Sequence, residues 1–186
     1  MKIKSVVDIC KKSGFMYLLM DKDGIQWLGD GVAYYPLVNA PVFDEESIYS
    51  TFDITEKAAE GIIFRNEEIP EGFNFGTDCD EELYAERNDI VVSYRGKEYY
   101  IYHTNHGALY VNTGYLKPLE KDKIEVYIRH TTDKKPYFVY KLGYMVQAVV
   151  APVTFDARHK EFFENLSLLY KQTRKRMEGI IDVQKC

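Results

Sequence analysis

The chain has 186 residues and a mass of 21.7 kDa, the size of one domain with at most an appendage. Apolar types make up 46% and charged types 28%, which excludes wholesale disorder and predicts a sizeable core. The net charge of −5 argues against a general nucleic-acid coat and leaves local basic patches open. Aromatics reach 15%, with 16 Tyr and 10 Phe against one Trp. Tyrosine at that level suits sheets with half-wet faces, where the ring buries and the hydroxyl stays solvated.

Charges interrupt the N-terminal stretch Met1–Lys12 too often for the apolar region of a signal peptide. The longest later apolar run, Met145–Val153, carries Gln147 and Pro152 and falls far short of the roughly 18 residues of a membrane span. Three cysteines at positions 10, 79 and 186 show no CxxC spacing. Such a scattered, odd set predicts reduced thiols and a cytoplasmic protein, with no disulfide framework.

In chain order, Ser5–Lys12 has Val6, Val7, Ile9 and Cys10 on one side and predicts a short helix stopped at Ser13-Gly14. Phe15–Met20 predicts a buried strand, Asp21-Lys22-Asp23-Gly24 a hairpin turn, and Ile25–Leu28 and Val32–Val38 two further strands. From Asn39 to Asn88 the pattern loosens, with one short helix over 54–61 capped by Asp53 or Thr55. Strands follow at 90–94, 98–103 and 108–112, then a short helix over 113–120, then strands at 124–130, 137–142 and 145–153. From Asp156 onward, Phe162, Leu166, Leu169, Thr173, Met177 and Ile180 recur at intervals of three and four. That spacing predicts an amphipathic C-terminal helix of about 25 residues. The expected class is α+β: mostly antiparallel sheet with two short helices over residues 1–155, and a long helix over 156–186.

Charge is distributed unevenly along this plan. Residues 44–89 hold three basic and fifteen acidic side chains, whereas 90–186 hold sixteen basic and ten acidic. The middle is thus an acidic insertion between two mildly basic parts. Its phrase Gly76-Thr77-Asp78-Cys79-Asp80-Glu81-Glu82 lacks the glycine and closing glutamate that a calcium loop needs, so a solvated acidic surface is expected there.

Other constellations are weighed against bland readings. His103 and His106 have a spacing compatible with zinc, but no cysteine or second histidine pair lies near in sequence. Cys79 sits in an acidic run that disfavours the thiolate, and Cys10 lies on an apolar helix face. Gly29-Asp30-Gly31 is a turn followed by no helix, and so no phosphate loop. Tyr94, Tyr99, Tyr100, Tyr102 and Tyr110 cluster in one hairpin region, where they either pack across strands or offer faces for stacking bases. No catalytic residue, metal or cofactor is called for, and the expectation is a non-enzyme.

The phrases Asn112-Thr113-Gly114-Tyr115-Leu116, Lys123–Ile128, Tyr137–Tyr140 and Gln147-Ala148-Val149-Val150-Ala151-Pro152-Val153 carry a resemblance. Over residues 108–153 the chain resembles the last half-domain of a bacterial-type DNA sliding clamp. There an Asn-x-x-Tyr-Leu helix precedes paired strands, and the last strand ends in a small residue, Pro and an apolar residue. The opening helix and meander follow the same order. The resemblance implies repeated half-domains whose helices face duplex DNA. Lys4, Lys11, Lys12, Lys117, Lys121 and Lys123, in or beside the two helices, would then contact phosphates without reading bases. It also implies a homo-oligomer, because one domain alone cannot close a ring. Three features depart from the family: the chain holds at most one such domain, it continues as a helix, and its acidic insertion is long. The alternative is a protein-interaction module without a DNA role, using the acidic face or the tail residues Phe162, Phe163, Leu166 and Leu169. A metal-dependent enzyme built on the histidines stands third.

Overall fold

A computed structural model describes residues 2–79, 81–104, 107–119, 124–155, 159, 161–166, 168–169, 172–173 and 175–176. The first element, α1 (Ile3–Ser13), ends at Gly14, whose φ of 77° is the left-handed cap that glycine adopts without strain. The chain then runs as a meander through β1 (Phe15–Met20), β2 (Gln26–Gly29) and β3 (Ala33–Pro36). Asp21 Oδ1 accepts from the Asp23 and Ile25 amides and closes the first turn as expected. The second turn is tighter: a Cβ on Gly29 would lie 2.0 Å from the Ala33 carbonyl oxygen, so only glycine fits.

The loosely patterned middle holds more structure than the sequence predicts. Asp44 and Ser47 form a reciprocal capping box that starts α2 (Glu45–Thr51), and Thr55 caps the four-residue α3 (Glu56–Ala59). β4 (Ile63–Glu68) then pairs in parallel with β1. The expected second helix shrinks to a 3-10 turn, Thr113–Leu116, because Pro118 lacks the amide that an α-helix would bond back to Gly114. Among the described residues four helical segments therefore precede the tail, and α2 is the one that the sequence pattern does not predict. The tail helix expected over 156–186 falls largely outside the described residues; 161–166 within it are helical.

Eight strands form the main sheet in the order β4-β1-β2-β3-β11-β10-β9-β5, with β5 (Leu83–Tyr84), β9 (Ile124–His130), β10 (Pro136–Leu142) and β11 (Met145–Val150) supplying its second half. A second sheet has the order β6-β7-β8, from β6 (Arg87–Tyr94), β7 (Lys97–Thr104) and β8 (Gly107–Asn112). The main sheet is built from two units of the same plan, α1-β1-β2-β3 and 3-10 turn-β9-β10-β11. They meet at β3 and β11, which pair antiparallel through Tyr34–Val149 and Ala33–Val150. Equivalent strands meeting antiparallel relate the two units by a local half-turn.

Alternation along the strands sorts side chains to two faces. Met16, Leu18, Leu28, Tyr35, Phe138, Tyr140, Ala148 and Val150 form one core with Val6, Val7 and Cys10 of α1, and with Ile48 of α2. The same core takes Tyr102 and Val111 from the small sheet. Leu19, Trp27, Tyr137, Val139, Val146 and Val149 point to the opposite face and bury Phe75 of the acidic insertion. The small sheet has a third cluster on its outer side, where Tyr99, Ile101 and Tyr110 enclose Phe163 from the tail.

Candidate functional site

Burial of Val6, Val7 and Cys10 turns the opposite side of α1 to solvent, and Lys4, Lys11 and Lys12 are all exposed there. Positions 4, 8, 11 and 12 share a helix face at 100° per residue, so Asp8 lies among the lysines. Lys117 follows the 3-10 turn and is exposed. A backbone hydrogen bond from the Lys2 amide to the Pro118 carbonyl, 3.0 Å, brings these two segments side by side. Lys121 and Lys123 lie outside the described residues.

A second tie locks the two units. Asp30 accepts from the Val32 and Ala33 amides through Oδ1 and from the Tyr115 hydroxyl through Oδ2 at 3.0 Å. Tyr35 donates its hydroxyl to the Tyr115 carbonyl. Burial, then the nearby Asp30, pushes the Tyr115 phenol well above its ordinary range, so both tyrosines serve as neutral donors. The same two causes raise the Cys10 thiol strongly, which leaves it a core residue without a thiolate.

The acidic insertion divides between the faces. Its first half, with α2 and α3, packs on the α1 side through Ile48 and Ile54, beside Phe43 just ahead of it. Its second half, residues 69–79 with 81 and 82, straps across the far face. Arg129, fully buried, holds that strap: it donates to Glu82 through Nε (2.9 Å) and Nη2 (2.7 Å) and to the carbonyls of Asn74 and Gly76 at 2.8 Å. Lys141 donates to Glu82 and to the Thr77 carbonyl. Burial alone would raise the Glu82 carboxyl, but the hydrogen bonds and charges of Lys141 and Arg129 outweigh it and hold it below the usual carboxylate value. The described residues of the phrase weighed above against a calcium loop, 76–79 with 81 and 82, belong to this strap, and among the described residues no cluster of His, Cys, Asp or Glu is arranged to hold a metal.

The hairpin tyrosines are mostly packing groups. Tyr99, Tyr102 and Tyr110 are buried, and Tyr94 and Tyr100 are half-buried. Among the four tail residues, Phe163 is buried against its own sheet, stacked on Phe155 at 4.0 Å between ring centres. Leu166 packs beside it, while Phe162 and Leu169 are exposed. His103 is the second-last residue of β7, and His106 lies outside the described residues. Neither the Arg129–Glu82–Lys141 group nor the Asp30–Tyr115 tie was predicted. Arg129 falls on the face of β9 opposite Val126 and Ile128, the pattern of a solvent-facing charge, and only the strap covers it. Among the described residues no helix is long and apolar enough to cross a membrane. Family models, curated proteins and solved structures contain no match to this chain.

Proposed function

We propose that the chain is a non-enzymatic, clamp-like protein that contacts the backbone of duplex DNA through α1 and the segment after the 3-10 turn, assembling as a homo-oligomer and tethering a partner. The observation that carries this reading is the Lys2–Pro118 hydrogen bond, which joins the two lysine-bearing segments on one face of a sheet built from two like units. The strap's acidic residues lie on the other face, where they do not oppose a phosphate backbone; α2 and α3 border α1 and limit the width of the basic surface.

Contacts of this kind are read by salt. Four lysines, Lys4, Lys11, Lys12 and Lys117, each neutralising a phosphate, give a slope of log K against log salt of about −3.6 for duplex DNA. The double variant Lys4→Gln/Lys11→Gln should halve that slope and leave the unfolding midpoint unchanged. Absence of duplex binding at low salt, or a slope unaffected by these substitutions, would overturn the reading.

A second reading, a protein-interaction module, is supported by the tail, whose Phe162, Leu168 and Leu169 are all more than half exposed. It gains if removal of those side chains changes the solution mass by light scattering while DNA binding is unaffected.

A further inference from the structure

A cleft of about 650 Å3 lies where the two sheets meet, and Lys117, one of the four duplex-facing lysines, is on its rim while Lys4, Lys11 and Lys12 are not among its lining. It is of ordinary size for a small-molecule site, about 300–1,000 Å3. Its floor carries Tyr102 and Tyr140, both buried, whose hydroxyls share a single hydrogen bond of 3.2 Å. Two hydroxyls with one bond between them leave one O–H without a partner among the described residues, a donor at the bottom of the cleft. Arg87 stands directly opposite Tyr102 in the β6–β7 register, and its guanidinium lies over the Tyr100 ring at 4.5 Å. That stacking fixes a permanent positive charge beside the spare donor. Glu98 lines the wall on the same face of β7 as Tyr100 and Tyr102, and Tyr84, from β5, is 68% exposed, held edge-on against Tyr127 at 5.9 Å.

Both signs of charge in one cleft suit a unit that carries one anionic group beside hydrogen-bond donors, and the volume exceeds what a single amino acid fills. A ligand with an anionic end, a flat ring and hydroxyl or amino donors matches the three kinds of wall. We propose that this cleft binds a mononucleotide unit, its phosphate on Arg87 and the tyrosine hydroxyl, its ring against Tyr84, and its donors toward Glu98. The nucleotide is either free or part of an unpaired strand, and both present the same chemistry.

Titration calorimetry of the full chain with AMP, and separately with a single-stranded oligonucleotide, tests the site. Saturable binding of either probe is expected, weakened at least tenfold by Arg87→Gln and by Tyr102→Phe, and AMP binding is unaffected by Lys4→Gln/Lys11→Gln, which lie outside the cleft. AMP binding identifies a free nucleotide, and binding of the oligonucleotide alone identifies a strand. Because Tyr102 is part of the core, the surface variant Arg87→Gln is the decisive one if Tyr102→Phe lowers the unfolding midpoint. Failure of both probes to bind, or equal binding by wild type and Arg87→Gln, overturns the proposal and leaves the duplex-binding reading intact.

Discussion

Replacing Glu82 with alanine tests the physical account of the strap. The carboxylate accepts two hydrogen bonds from Arg129 and one from Lys141, whose side chains are 0% and 8% exposed. Deleting it leaves two cations facing a truncated side chain where little water reaches. Removing one member of a buried ion pair costs about 3–5 kcal/mol, because the surviving charge is stranded. Glu82 itself is 16% exposed, so water enters the vacated space and the lower figure, about 3 kcal/mol, applies. With a urea m-value of about 2 kcal/mol/M, the midpoint falls by about 1.5 M at unchanged slope. Lys141→Met should cost less, because Glu82 keeps both bonds from Arg129. Hydrogen exchange should show the amides of 69–82 losing protection in Glu82→Ala while those of β1 and β2 keep theirs. A loss below about 1 kcal/mol, or a larger loss for Lys141→Met than for Glu82→Ala, would refute the view that Glu82 is the hub of this group.

The same carboxylate sets a pH dependence. Its folded-state pKa is depressed, so the stability it confers is fully present above the unfolded value of about 4.3 and is lost as pH falls through the folded value. Acid unfolding followed by Trp27 fluorescence should therefore be shallower in Glu82→Gln than in wild type below the unfolded carboxylate value of about 4.3; superimposable curves would exclude Glu82 as a contributor. In the small sheet, Phe163 is 1% exposed between Phe155 and Tyr110, and its carbonyl accepts from the Tyr110 hydroxyl at 2.7 Å. Phe163→Ala should cost about 3 kcal/mol, the low end for a buried Phe, and should speed proteolytic removal of the tail. An unchanged cleavage rate would show that Phe163 does not anchor the tail.

Much of the strand plan is written locally. Ile124–His130 and Phe15–Met20 are strands at the bounds their local pattern predicts, and Asp21–Gly24 is the turn, because alternation, β-branched residues and turn chemistry act over a few neighbours. Burial of Val6, Val7 and Cys10, and with it the exposure of Lys4, Lys11 and Lys12, followed from helical periodicity. Elements with little apolar periodicity escaped. β4 is a largely exposed edge strand whose parallel partner lies some fifty residues away, and α2 is signalled mainly by its Asp44–Ser47 capping box.

What tertiary structure alone decided is which distant segments share a surface. No local pattern tells that the Lys2 amide finds the Pro118 carbonyl, that Asp30 meets Tyr115, or that a strand arginine at 129 is buried against Asn74, Gly76 and Glu82. Local sequence encodes a residue's inside or outside face through its period. The identity of what covers that face depends on chain closure over tens of residues, where the energy lies in contacts formed only once the whole fold is assembled.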